Sequence, residues 1–357
     1  MHVTECASRV VHVPLSRPYR IAYREIRSVD LVLLKVRTDR SIEGLGCASP
    51  ASFVTGETVQ ACAKALSAEN LEWLAGADIR QLPRLLRLAS ERMNQTPAAR
   101  AALDMALYDC YGKLLDVPVA EALGRAHRAL PTSVTVGICS QEETIAQIED
   151  FLQRGFKVIK VKIGKSLQED IARLRRVREK FGSEIGLRVD ANQGYSIPET
   201  EAFLEETSDL DLELLEQPLA ASDIDGLRSL PPGMRARIAA DESLKNESDA
   251  LRLIQPDPAC GVFNIKLMKC GGISAACRIA LLAELSGLSL MWGCMDESVI
   301  SIAAALHAAL SCPATAYLDL DGSLDLERDV AEGGFTIENG FLHLTDRPGL
   351  GVRLLEG

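Results

Sequence analysis

Short apolar runs alternating with amphipathic stretches between about residue 130 and residue 322 predict an α/β protein built on a closed barrel of parallel strands. Three observations carry this expectation. Eight such runs occur: 133–138, 158–164, 185–192, 212–219, 237–244, 261–267, 288–294 and 316–322. Their distinctive residues recur at near-constant spacing, with 26 residues from Asp190 to Glu216, 25 from Glu216 to Asp241 and 25 from Asp241 to Lys266, room each time for one strand and one helix. Most runs also carry polar or ionisable residues near their C-terminal ends, where a parallel barrel gathers its functional groups.

The elements follow in order. Val10–Val13 and Leu31–Val36 read as strands, and a Thr-Asp-Arg-Ser turn leads on to Ile42-Glu43-Gly44, so a small antiparallel sheet opens the chain. From Glu57 to about Leu115 the pattern is helical, clearest in the alanine- and leucine-rich stretch Ala98–Tyr108. After the barrel runs, Phe335–Ile337 and Phe341–Leu344 flank Asn339-Gly340, a hairpin signal expected to rejoin the N-terminal module. At 357 residues and roughly 150 residues per domain the chain has room for two units. The expected division is an α+β capping domain over 1–128, a barrel over 129–322, and a returning segment over 323–357.

Composition narrows the function. Lys plus Arg number 39 against 50 Asp plus Glu, and the net charge of -11 disfavours a nucleic-acid partner. No apolar stretch reaches bilayer length and no charged-then-apolar leader opens the sequence, so a cytoplasmic protein without membrane contact is expected. Ten cysteines without a C-x-x-C pair read as reduced thiols. Five dispersed histidines offer no zinc spacing, so any metal must be held by oxygen. The G-x-G at Gly44 and Gly46 lacks a third glycine and reads as strand or turn rather than a dinucleotide site.

The chemistry lies at the ends of the runs. Residues two apart in a strand share a face, so Lys160 and Lys162 point the same way. Three successive runs then end in a carboxylate: Asp190, Glu216 and Asp241. Three acids at one rim repel unless a cation neutralises them, and an all-oxygen set suits Mg²⁺. Lys266 follows on the next run, placing an ammonium across the barrel from Lys160 and Lys162. A base on each face of a substrate is what inversion by proton transfer requires. A working base should titrate near 7 to 8 against an unperturbed lysine value near 10.4. Lys160, about 7 Å from Lys162, adds roughly 2 kcal/mol of repulsion toward that shift at an effective dielectric of about 20. On this reading Lys160→Met moves the activity profile to higher pH.

K-x-K, then D, E and D on successive strands, then K before G-G, resembles the muconate lactonising enzyme group of the enolase superfamily over nearly the full length, including Glu121-Ala122-Leu123-Gly124 and the closing 348–352 PGLGV. The resemblance implies a modified TIM barrel, (β/α)7β, with Asp190, Glu216 and Asp241 as Mg²⁺ ligands and Lys162 and Lys266 as the acid/base pair. Within the group, the last run ends Asp319-Leu320-Asp321, which looks like the D-x-D by which dipeptide epimerases hold the substrate α-ammonium. Trp292–Ser298 also resembles epimerase sequences; beside Met295, Asp296 would face the second side chain and favour Lys or Arg. Arg24 matches instead the arginine that Ala-Glu epimerases use for the glutamate carboxylate. The expectation is therefore an isomerase acting on L,L-dipeptides, with cationic side chains preferred over Glu, and loops 18–26 and 51–56 closing over them. Alternatives are an o-succinylbenzoate synthase or cycloisomerase of the same fold, or a non-catalytic ligand-binding barrel. Barrels of this family commonly assemble, so a homo-oligomer is expected.

Overall fold

The computed structural model of the chain describes residues 1–21, 24–52 and 54–355, the side chains at 17, 19–21, 24 and 25 lying outside that description. Strands β1 (Val3–Ile21), β2 (Arg24–Thr38) and β3 (Glu43–Ala48) form an antiparallel sheet in chain order. β1 and β2 pair out to Ile21↔Arg24, so residues 18–21 and 24–26, read from sequence as parts of a loop, belong to these two strands. Pro14 and Pro18 mask this in the sequence. Proline breaks a ladder locally, and the register does shift between Pro14 and Tyr19 before pairing resumes.

Helices α1 (Val59–Ala65), α2 (Leu82–Arg92) and α3 (Pro97–Leu115) follow. α3 lacks an apolar stripe because it is buried nearly all round, from Ala98 to Gly112. The G-x-G belongs to β3 and faces this helix. A Cβ on Gly46 would stand 1.8 Å from the Ala102 carbonyl oxygen, and one on Gly44 2.1 Å from that of Ala106. Gly46→Ala is therefore expected to destabilise the fold by about 2–3 kcal/mol through overpacking. Differential scanning calorimetry should show the thermal midpoint fall by several degrees; an unchanged midpoint would mean the helix can retreat freely.

After α4 (Val119–Leu123) and β4 (Ala129–Pro131) the barrel begins. Its strands are β5 (Ser133–Val136), β6 (Val158–Lys162), β7 (Gly186–Asp190), β8 (Leu212–Glu216), β9 (Ile238–Ala240), β10 (Val262–Ile265), β11 (Ser289–Gly293) and β12 (Thr315–Asp319), paired in sequence order. Between them run α5 (Gln141–Gln153), α6 (Leu167–Phe181), α7 (Ile197–Glu206), α8 (Ile224–Ser229), α9 (Pro232–Arg235), α10 (Glu247–Ile254), α11 (Leu267–Cys270), α12 (Ile273–Leu285) and α13 (Val299–Ser311). The ring closes where Thr132 bridges Leu318 in parallel and Ser133 Oγ donates to the Leu318 carbonyl at 3.3 Å. This is the (β/α)7β barrel that the apolar runs predict. Each strand stops short of the end of its run, because the residues there belong to the mouth: β9 ends at Ala240, one before Asp241.

Strand alternation stacks the interior in layers. Leu214, Ala239, Val262 and Met291 pack with Tyr317 as an apolar floor, and the Arg188 guanidinium lies 4.9 Å from the Tyr317 ring centre. Two residues further along the same strands come Asp190, Glu216, Asp241, Asn264 and Asp319.

Beyond the barrel lie β13 (Ala331–Gly333), β14 (Phe335–Glu338), β15 (Phe341–Leu344) and β16 (Val352–Leu354). β14 and β15 form the expected hairpin, turning through Asn339 at φ 51° and Gly340 at φ 80°. Its partner is β4, not the N-terminal sheet, since β15 pairs with Ala129–Pro131. The returning chain meets the N-terminal module elsewhere: Leu326 bridges Leu15, and the Leu350 amide donates to Asp109 at 2.8 Å. All ten cysteines are free thiols, and among the described residues no helix is long and apolar enough to cross a membrane.

Candidate active site at the barrel mouth

Lys160 and Lys162 lie on β6, the second barrel strand, between β5 and β7, so they are not on an edge. Lys266 directly follows β10, the sixth. In a ring of eight, strands four apart face each other, which sets Lys162 and Lys266 on opposite walls. All three are buried, at 3, 9 and 8 % exposure. Gly293 on β11 makes room for the last: a Cβ there would lie 3.0 Å from Lys266 Cε.

Asp190 and Glu216 end neighbouring strands in register, and Asp241 follows the next. None exceeds 2 % exposure. Lys162 Nζ donates to Asp190 at 2.5 Å and Lys266 Nζ to Asp241 at 2.7 Å. Lys160 Nζ bonds Asp319 and sits 3.5 Å from Glu216 and 3.8 Å from Asp190. Its repulsion of Lys162 therefore acts inside a shell of carboxylates that offsets it, which the two lysines considered alone did not include. Burial opposes the Lys160 ammonium, but Asp319, Glu216 and Asp190 outweigh it and hold its pKa well above the ordinary lysine value.

Left-handed backbone clusters directly after the acids, at Asn192 (φ 42°), Gln193 (φ 68°) and Gln217 (φ 34°). Such strain persists where surrounding bonds fix it. Gln217 shows how: its Oε1 accepts from the Asp241 and Ser243 amides at 2.9 and 3.1 Å, and its Nε2 donates to Ser243 Oγ at 2.8 Å. One side chain thus couples the loop after Glu216 to the loop carrying Asp241.

Further polar residues of the mouth carry no distinguishing mark in the sequence. Lys269 is buried and donates to both the carboxylate and the carbonyl of Asp241. Asn264 donates to Glu216 at 2.8 Å, and Glu242 accepts from Asn192 at 3.1 Å. Asp190, Glu216, Asp241, Glu242, Asp319 and Asp321 thereby crowd around the four lysines 160, 162, 266 and 269.

That imbalance has consequences. Burial and then the charge of Asp190 push Glu216 up to about 8, and burial with Asp241 pushes Glu242 up to about 7. Glu242 Oε2 and Asn264 Oδ1 are buried with no hydrogen-bond partner among the described residues. No group of three or more His, Cys, Asp or Glu among the described residues forms a finished metal cage, the lysine ammoniums being inserted between the acids. The donor set nevertheless fits a hard divalent cation, being all oxygen, buried and more numerous than the amines. Burial opposes the Lys266 ammonium, yet Asp241 and Glu216 outweigh it and hold its pKa above the ordinary value. A cation sharing those carboxylates would withdraw that support and bring Lys266 toward the range of a working base.

Asp319 ends β12 and Asp321 lies two residues on, past the strand, yet both line one cavity of about 590 Å³ together with Lys160, Lys162 and Lys266. Asp319 accepts from Ser133 Oγ at 2.6 Å and Asp321 from the Thr135 amide at 2.8 Å. The pair splits electrically: burial acts against both carboxylates, but Lys160 draws Asp319 down, whereas Asp321, beside Asp319, rises to about 7. A second cavity of about 360 Å³ adjoins on the side of the N-terminal module, lined by Ile26, Ala51, Ser52 and Val54 and by Asn192, Asp241 and Glu242. Lys162, Lys266, Met295 and Asp296 line both. The side chain of Arg24 lies outside the described residues.

Two family models match the chain: the mandelate racemase/muconate lactonizing enzyme N-terminal domain over residues 5–124 and an enolase C-terminal domain-like region over 143–357. The chain is 54 % identical over 352 residues to an L-Lys-D/L-Arg epimerase of Methylococcus capsulatus, covering 99 % of each. It is 36 % identical to an L-Ala-D/L-Glu epimerase of Clostridium acetobutylicum, covering 95 % of each. Its structure is similar, with a TM-score of 0.97 over 99 % of both chains at 54 % identity, to a Methylococcus capsulatus dipeptide epimerase solved with Mg and the dipeptide L-Arg-D-Lys. A barrel with opposed lysines and three strand-end acids, joined to these matches along both halves, places the chain in the mandelate racemase/muconate lactonising enzyme group of the enolase superfamily.

Proposed function

We propose that the chain is a Mg²⁺-dependent dipeptide epimerase that inverts the α-carbon of the C-terminal residue of an L,L-dipeptide and prefers cationic side chains. The observation that carries this is the setting of Lys162 and Lys266 on opposite walls of one cavity, with Asp319 and Asp321 beside them. Asp319 and Asp321 bind the substrate ammonium, which orients the dipeptide across the cavity. One lysine removes the α-proton; the other delivers a proton to the opposite face. Lys160 holds the Asp319 carboxylate in place from below. Asp190, Glu216 and Asp241 would hold Mg²⁺, which when bound neutralises the negative charge that builds on the substrate carboxylate as the proton leaves.

The preference for cationic partners is supported by Asp296 at the junction of the two cavities and by the higher identity to the L-Lys-D/L-Arg epimerase than to the L-Ala-D/L-Glu epimerase. The test is to incubate pooled L,L-dipeptides with the protein and Mg²⁺ in D₂O and look by mass spectrometry for one deuterium at the α-carbon. Exchange in dipeptides ending in Lys or Arg is expected. Exchange only in dipeptides ending in Glu would move specificity to Arg24, and exchange in none would favour an amine-free substrate. Asp321→Asn is expected to raise KM at least about tenfold by weakening a charge-assisted contact while kcat changes less. Unaltered KM would remove D-x-D from substrate binding.

A further inference from the structure

Arg173 on α6 is only 3 % exposed, although it is outside the ring of groups that face the cavities. A buried guanidinium is costly unless its donors are matched, and here they are spent on one strand end, one loop carbonyl and one acid. Nη2 donates to the carbonyl oxygen of Lys162 itself at 2.5 Å and to Asp170 Oδ1 at 3.0 Å, and Nη1 donates to the Cys139 carbonyl at 3.3 Å. Asp170, 4 % exposed, accepts on Oδ2 from the Gly164 amide at 2.9 Å and the Tyr195 hydroxyl at 3.0 Å. The Tyr195 amide in turn donates to the Pro218 carbonyl at 3.0 Å. This chain of bonds ties the peptide that carries Lys162 to the loops after β5, β7 and β8.

Lys266 is fixed by other means. α11 and α12, which follow it, are held from the N-terminal module by Arg100 Nη2 on the Cys270 carbonyl at 2.5 Å and by Asp104 accepting from the Ile273 amide at 2.7 Å. The two walls share none of these residues.

We propose that Asp170, Arg173 and Tyr195 form a brace that positions Lys162 alone, so that the two proton-transfer faces of the site are set by separate parts of the fold. Resting on the two-lysine reading above, the brace makes Arg173, Asp170 and Tyr195 positioning residues that act through the Lys162 peptide. A displaced strand end would move one ammonium off its line of approach, and such small displacements slow proton transfer steeply.

The test uses two probes separately, L-Arg-L-Lys and L-Arg-D-Lys, with Mg²⁺ in D₂O. Chiral chromatography with mass spectrometry gives the initial rate at which deuterium enters the starting epimer before inversion. Each rate reports the lysine on that face. Arg173→Met is expected to slow exchange in one epimer at least about tenfold relative to the other. Tyr195→Phe, which keeps the ring against Phe203, should shift the ratio in the same direction by less. If Arg173→Met does not fold, Tyr195→Phe and Asp170→Asn still decide the matter. Equal slowing of both epimers, or an unchanged ratio in folded variants, overturns the brace. Wild-type protein that exchanges neither probe overturns the epimerase reading, and the brace with it.

Discussion

Lys266→Ala is expected to lower epimerisation by about 10³-fold or more while leaving α-proton exchange in one of the two epimers. General acid–base groups contribute about 10²–10⁴-fold each, and inversion needs both lysines whereas exchange with retention needs one. The opposed placement makes the outcome specific: Lys162 remains on its wall, two strands of the ring away from β8 and four from β10. Lys162→Ala should give the mirror result, with exchange surviving only in the other epimer. Neither substitution strips the acids bare. Asp241 keeps its bond from Lys269, and Asp190 keeps Lys160 at 3.8 Å, so folded protein is expected. Deuterium incorporation resolved by epimer is the measurement. Inversion at near wild-type rate in either variant would overturn the two-base mechanism.

The barrel and its acids were legible because periodic signals mark them. A spacing of 25 or 26 residues brings Asp190, Glu216 and Asp241 to one end of successive strands, and alternation alone puts Lys160 and Lys162 on one face. The same alternation pairs Asn264 with Lys266 in FNIK. Lys269 was harder to see. It lies on α11, a four-residue helix too short for any periodicity, and its clue was two lysines three apart before a glycine pair. Asp170 and Arg173 look like ordinary charges on an amphipathic helix, since i,i+3 spacing says nothing about which pair turns inward. The strand character of 18–21 and 24–26 is hidden by the prolines at 14 and 18, and the pairing of β15 with β4 by the absence of any sequence signal for non-local partners. What the sequence could not supply was the compensation around each charge. Lys160 reads as a repulsive neighbour of Lys162 until Asp319, Asp190 and Glu216 are seen about it.

Removal of divalent cations by EDTA is expected to stop turnover, and Mg²⁺ to restore it. A second readout separates metal binding from catalysis. A ligand that binds only the folded state adds about 2.7 kcal/mol at a concentration one hundred times its dissociation constant, so Mg²⁺ should raise the thermal midpoint of the wild-type protein. Asp241→Asn and Asp190→Asn should lose most of that rise. Glu216→Gln makes the sharper case. Burial and Asp190 push the Glu216 carboxyl up to about 8, against an ordinary value of 4.5, so between these values the folded state must hold a proton that the unfolded chain releases, and stability falls as pH rises through that window. The amide removes this proton uptake while keeping a partner for Asn264, which bonds Glu216 at 2.8 Å. In EDTA at pH 7, Glu216→Gln is therefore expected to melt above the wild type, and in Mg²⁺ below it. A Mg²⁺ increment in Glu216→Gln equal to that of the wild type would mean that the ion is held elsewhere. A variant less stable than the wild type in EDTA would mean that Lys160, 3.5 Å away, already compensates the charge and that the demand for a cation has been overstated.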